Sequence, residues 1–78
     1  MNIELYPSPN KGLLSEGPFP LSSGPKMVSM SKSALYQMIR DGRTNYSGER
    51  IHLEWCATEG GICTSVAALR RFRQRLNA

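Results

Sequence analysis

Three side chains in this sequence are imidazoles or thiols, the commonest ligands of structural zinc: His52, Cys56 and Cys63. A structural metal site takes four donors, commonly with two cysteines separated by two to four intervening residues. Here the cysteines are not in a Cys-x-x-Cys, and the one histidine would lie two pairs away along a strand, so no metal is expected. No Ser/His/Asp grouping stands out, and Gly60-Gly61 reads as turn chemistry rather than a phosphate-cradling loop. His52 reads as a surface or polar-packing residue. With 78 residues there is room for one small core and little for a deep, double-shelled cleft. The expectation is a protein that is not an enzyme, with no cofactor and no small-molecule substrate.

A second group of residues suits recognition. Arg40 and Gln37 carry hydrogen-bonding forks of the kinds that pair bidentately with guanine and adenine, respectively. A plain solvated helix face is the other reading of the same residues. Lys32 and Ser33 stand where a helix begins, a place favourable to phosphate. Tyr36 suits either a phosphate or thymine-methyl contact or simple cover of the helix edge. Arg70, Arg71, Arg73 and Arg75 form a cluster that fits a polyanion or an acidic partner, although cations near a helix C-terminus also offset its dipole.

The elements that would hold these residues follow from periodicity. Ser31 is a good N-cap, and Gly42 a good stop, for a helix over KSALYQMIRD. At about 100° per residue, Ala34, Leu35, Met38 and Ile39 share one arc, with Ser33, Tyr36, Gln37 and Arg40 opposite. Arg43 to Gly48 reads as a polar connection. From Arg50 to Ala57 apolar and polar residues alternate, which places Ile51, Leu53, Trp55 and Ala57 inward. The turn signal Thr58-Glu59-Gly60-Gly61 then returns the chain through Ile62-Cys63-Thr64 as a hairpin. If Glu59-Gly60 is the two-residue turn, Cys56 and Cys63 face one another across the strands. A disulfide is then geometrically feasible, but reduced thiols are expected in a cytosolic protein. Thr64 or Ser65 caps a last helix whose inner stripe is Val66, Leu69, Phe72 and Leu76.

Residues 1–18, with three prolines and two glycines, keep neither helical nor strand periodicity and predict an extended, mostly disordered arm. Residues 19–78 make the domain, opening on a short helix within FPLSSGPKMV capped by Ser22 or Ser23. Charge divides at about the same place. Residues 26–78 carry nine basic against four acidic groups, out of a whole-chain net of +4. Such a basic half suits a polyanion, although mild basicity is also common without one. No secretory leader and no membrane span is expected, which points to the cytoplasm.

The stretch VSMSKSALYQMIRDG resembles the second half of the helix-turn-helix in excisionase-type and MerR-type DNA-binding domains. RIHLEWCATEGGICTSVAALRRFRQRL is similar to the wing and closing helix of that family. The likeness is nearest to a family of short uncharacterised bacterial excisionase-like proteins and covers roughly residues 19–77. It implies an α+β fold, a small winged helix-turn-helix of short helix, recognition helix, β-hairpin wing and C-terminal helix. It further implies that Lys32, Ser33, Tyr36, Gln37 and Arg40 face the major groove. Two departures stand out. The first-helix region reads LSSGPKM where the family is rich in Ala and Glu. The wing tip reads TEGG, with an acid where a basic contact is usual, which leaves Arg43 and Arg50 as the wing's basic groups.

The expected function is sequence-specific binding of duplex DNA, as a recombination accessory factor or a small transcriptional regulator associated with the nucleoid. A domain this small would work with a recombinase partner or by self-association on DNA. The alternative is a protein–protein interaction module whose charge is incidental, and behind it a binder of structured RNA.

Overall fold

The structure, a computed structural model of the 78-residue chain, describes residues 8–23 and 30–78. Over these described residues it is an α+β fold of two α-helices, two short 3-10 segments and two antiparallel sheets. No helix among the described residues is long and apolar enough to cross a membrane.

Helix α1 (Lys32–Arg40) starts where the sequence predicts, with the Ser31 hydroxyl accepting the Ala34 backbone N–H at 3.1 Å. Leu35, Met38 and Ile39 are buried, and Ala34 is half-buried. Its C-terminus is held by groups from outside the helix. Asp41 and Gly42 both donate backbone N–H groups to the Gln37 carbonyl, at 2.8 and 3.1 Å. Leu53 donates its backbone N–H to the Met38 carbonyl, and the His52 imidazole Nδ1 donates to that of Ile39, each at 3.0 Å. Helix-end carbonyls that would otherwise need water are thus satisfied by the chain that passes beneath them. His52, taken from the sequence as a surface or packing residue, has the second role.

The single strand expected over Arg50–Ala57 is broken. Strands β2 (Arg43–Thr44) and β3 (Arg50–Ile51) pair as a small ribbon, built in part from residues expected to be a plain connection. Strands β4 (Cys56–Thr58) and β5 (Gly61–Thr64) form the hairpin around Glu59-Gly60. Residues 52–55 between them spend their hydrogen bonds elsewhere. Leu53 bonds α1, the Trp55 carbonyl accepts from Asn10 N–H at 2.7 Å, and the Glu54 carbonyl accepts from the Thr64 hydroxyl at 2.9 Å. The break shifts the alternation by one residue. Leu53 and Trp55 point inward as predicted, but Cys56 follows them into the core and Ala57 is exposed. A period-2 pattern survives only while the ladder does.

The expected opening helix within 19–28 is not formed over its described part. Phe19–Pro20 is strand β1, paired with β5 through Phe19↔Thr64 and Pro20↔Cys63, and Leu21–Ser23 is a 3-10 turn. Proline, lacking an N–H, is tolerated on an edge strand, and β1 is the edge of the order β1-β5-β4. Residues 24–28 of that expectation lie outside the described residues.

The extended arm expected over 1–18 also differs from its described part. Lys11–Glu16 is a 3-10 helix capped by the Asn10 side chain, and Leu13 is wholly buried. Residues 1–7 lie outside the described residues. Helix α2 (Val66–Leu76) closes the core with Ala68, Leu69 and Phe72. Ser65 is its cap, accepting from Ala68 N–H at 3.0 Å, whereas Thr64 serves the Glu54 carbonyl instead.

A polar network fastens these pieces. The Arg71 guanidinium donates to both Glu16 carboxylate oxygens at 3.0 Å and to Glu54 Oε2 at 2.6 Å. Asn10 Nδ2 donates to Glu54 Oε1 at 2.6 Å, and the Ser65 hydroxyl donates to Glu16 at 2.9 Å. Hydrogen bonds from Arg71 and then Ser65 hold the Glu16 carboxyl below its ordinary value, against a smaller opposing effect of burial. A carboxylate depressed in this way stabilises the fold above its unfolded value of 4.5, and that contribution is lost as pH falls through the lower folded value. The urea midpoint should therefore drop on acidification below about pH 4.5. In Glu16→Gln that part of the acid limb should flatten; parallel limbs in the two proteins would take Glu16 out of the account.

Candidate nucleic-acid interface

Capping by Ser31 and burial of Leu35, Met38 and Ile39 fix the rotation of α1, and with it the face turned outward. Ser33, Gln37 and Arg40 are exposed on that face, and Lys32 is exposed at its N-terminal edge. Tyr36 is half-buried and packs against the core, with the Lys32 ammonium 5.8 Å from its ring centroid. A cation over an aromatic face at this spacing adds a modest attraction. Tyr36 thus does the edge-covering job while keeping part of its ring outward.

Arg40 is engaged at the far end of the face. Its Nε donates to Asp41 Oδ1 at 3.3 Å and its Nη2 to Oδ2 at 3.4 Å, so one carboxylate spans one side of the guanidinium. Both side chains are about half exposed, and pairs of this kind contribute about 0–1 kcal/mol. Arg50 reaches the same place from β3, where its Nη1 donates to the Asp41 carbonyl at 2.6 Å.

The ribbon separates the two arginines assigned to the wing. Arg43 is paired with Ile51 and Thr44 with Arg50, and cross-strand partners share a face while neighbours along a strand do not. Ile51 packs against the core, so Arg43 lies on that side, beside Met38, Leu69 and Phe72. Arg50 points the other way, to the end of α1. The structure therefore groups Lys32, Ser33, Tyr36, Gln37, Arg40 and Arg50 along α1 and leaves Arg43 on the opposite face of the ribbon.

The C-terminal basic cluster is divided as well. Arg71 is committed to Glu16 and Glu54, and these bonds raise its pKa above that of an ordinary guanidinium. Arg70, Arg73 and Arg75 are exposed. Asn45 is buried, accepts from Glu49 N–H at 2.8 Å and donates to the Arg75 carbonyl at 3.2 Å, which seats the ribbon's turn on the end of α2. The neighbouring Tyr46 is 88% exposed, the most exposed large apolar residue described. Sequence reasoning passed over Tyr46, although an Asn-aromatic-Ser-Gly run between two short strands is a turn signal of the type that displays its second residue. It also passed over Asp41 as anything more than the end of the helix.

Cys56 and Cys63 are cross-strand partners across the Glu59-Gly60 turn, as the turn hypothesis required, and both thiols are free and buried. Burial first, and Cys63 second, push the Cys56 thiol up, which keeps it protonated and a poor nucleophile. Among the described residues no three of His, Cys, Asp and Glu gather into a possible metal site.

Beside Arg43 lies a groove of about 190 Å³ lined by Met30, Met38, Leu69, Phe72, Arg73 and Leu76. It adjoins a second hollow of about 310 Å³ bounded by Arg43, Thr44, Asn45, Tyr46, Leu76 and Asn77. Compared with known proteins, the chain matches no family model, no curated protein and no solved structure.

Proposed function

From this geometry we propose that the protein binds duplex DNA with sequence preference, through the outward face of α1. The observation that carries the reading is a rigidly rotated helix displaying Ser33, Gln37 and Arg40, flanked by Lys32 and Arg50 and bare of carboxylates until Asp41. The basic excess draws the domain to phosphates, the free N–H groups at the start of α1 favour one such phosphate, and Gln37 and Arg40 read base edges in the major groove. In the finer fold reading this is a winged helix-turn-helix, excisionase-like, with α1 as recognition helix. The ribbon β2–β3 then stands immediately beside α1, a position the acidic-tipped β4–β5 hairpin was expected to fill. The biological task is that of a recombination accessory factor or a small transcriptional regulator, in either case acting on DNA with a partner or a second copy.

The test is a fluorescence-anisotropy titration of the full chain against duplexes from around its own gene and against random duplex. Affinity should fall steeply between low and moderate salt, as expected when several phosphates are neutralised. Arg40→Ala should cost about 1–3 kcal/mol on the preferred duplex and little on random duplex, erasing preference. No binding to any duplex at low salt would sink the reading.

The groove beside Arg43 supports a second reading, a protein-interaction module. Its apolar floor between Arg43 and Arg73 fits a partner helix whose apolar stripe is edged by carboxylates. Under that reading Arg73→Glu abolishes partner binding while Arg40→Ala leaves it intact.

A further inference from the structure

Resting on the interaction reading and independent of DNA binding by α1, we propose that the two hollows flanking Arg43 form one docking site for an acidic amphipathic helix of a partner protein. In that complex Arg43 and Arg73 hold carboxylates of the partner, and Tyr46 packs against its apolar stripe. The hollows share Arg43 and Leu76, so they meet at that corner. Leu69, Phe72 and Leu76 recur at three- and four-residue spacing along α2 and floor the groove together with Met38 of α1. From Leu69 to Leu76 is about two helical turns, the span of the i, i+3 and i+7 anchors of a docked helix.

Charge and display supply the rest. Arg43 and Arg73 are exposed, and neither has an ion-pair partner among the described residues. No carboxylate among the described residues lines either hollow. Two guanidiniums beside an apolar floor complement an apolar stripe bordered by acids. Tyr46 is held outward by anchored neighbours. The Asn45 side chain spans Glu49 N–H and the Arg75 carbonyl, and the Ser47 hydroxyl donates to the Ala78 carbonyl at 3.3 Å. An aromatic presented on such a turn loses little freedom on binding, which favours affinity. Tyr, Met and Arg are also the side chains enriched at the centres of protein interfaces.

The same features weigh against other occupants. A phosphate backbone would pair with the arginines but leave the floor of Met38, Leu69 and Phe72 uncovered, since it offers no apolar surface. A second copy docked through the same face would set its own Arg43 and Arg73 against these, like charge on like. Arg40 lies about 200° around α1 from Met38, so the outward face of that helix stays clear of the docked partner.

The probe is a fluorescein-labelled helical peptide of about 18 residues, with leucines at three- and four-residue spacing bordered by glutamates, titrated with the full chain. It should bind at least about tenfold more tightly than the same peptide bordered by lysines. Arg73→Glu should weaken the glutamate peptide about tenfold and strengthen the lysine peptide, a reversal that misfolding cannot produce. Tyr46→Ala should weaken the glutamate peptide about three- to tenfold with the urea midpoint unchanged, and Arg40→Ala should leave its affinity as in wild type. Equal affinity for the two peptides, or full affinity in Tyr46→Ala, overturns the proposal. The methyl resonances of Met30 and Met38 locate the binding. If both peptides move them alike, the interaction reading survives and the acidic partner falls; if neither moves them, both fall. Movement of those methyls by duplex DNA alone, or a dimer that Tyr46→Ala dissociates, would overturn the proposal in favour of nucleic acid or a second copy.

Discussion

Replacing Gly42 by alanine should cost about 3 kcal/mol or more, a large share of the roughly 5–15 kcal/mol that holds a small domain folded. Two effects combine. Gly42 has φ +73°, a left-handed conformation in which a side chain costs of order 1–3 kcal/mol. A Cβ there would also fall well inside contact distance of the Ile51 carbonyl oxygen and 3.1 Å from His52 Nδ1. The backbone carbonyl cannot swing aside without breaking the capture of the end of α1 by residues 50–53. Gly48→Ala separates the two effects. Gly48 has φ +85° and open space where the Cβ would stand, so it should lose only the strain, about 1 kcal/mol. Equal losses in denaturant titrations of the two variants would show that the close approach to Ile51 is unimportant.

Leu13→Ala should destabilise by about 2–5 kcal/mol, the range for emptying a fully enclosed leucine site. Leu13 has no exposed surface, whereas Leu14 beside it is 57% exposed, so Leu14→Ala is the natural control and should change stability by less than about 0.5 kcal/mol. The pair of variants reports directly on whether residues 8–18 belong to the folded unit. A Leu13→Ala protein with an unchanged urea midpoint would return that segment to the status of an arm.

The helices were legible because each carries its own punctuation. Ser31 and Gly42 bracket α1, Ser65 opens α2, and the buried stripes fall at three- and four-residue spacing. The Cys56↔Cys63 register was legible because a two-residue turn leaves no other choice. What could not be read was decided by partners far away in sequence. Alternation through Arg50–Ala57 looks like one strand, yet its middle is drawn off by Met38, Asn10 and Thr64, none of which is a neighbour along the chain. Prolines in residues 1–18 suggested an arm, but Asn10 caps a turn that carries Leu13 into the core, and only the Asn-x-Gly-Leu spacing hinted at it. For the candidate interface, periodicity identified the outward residues of α1. It could not tell that Arg43 and Arg50 lie on opposite faces, because that depends on the register of a two-residue ladder.

The Arg71 network has a kinetic consequence. Glu16 and Arg71 are 55 positions apart in a chain of 78, and Asn10 meets Glu54 across 44. Contacts of such span are slow to find, since much of the chain must be ordered before they close. A polypeptide emerging from a ribosome cannot bury Leu13 against its final neighbours until α2 has been synthesised. Folding should therefore complete only once α2 has been made, and residues 8–18 and α2 should open together in amide exchange, as one cooperative unit.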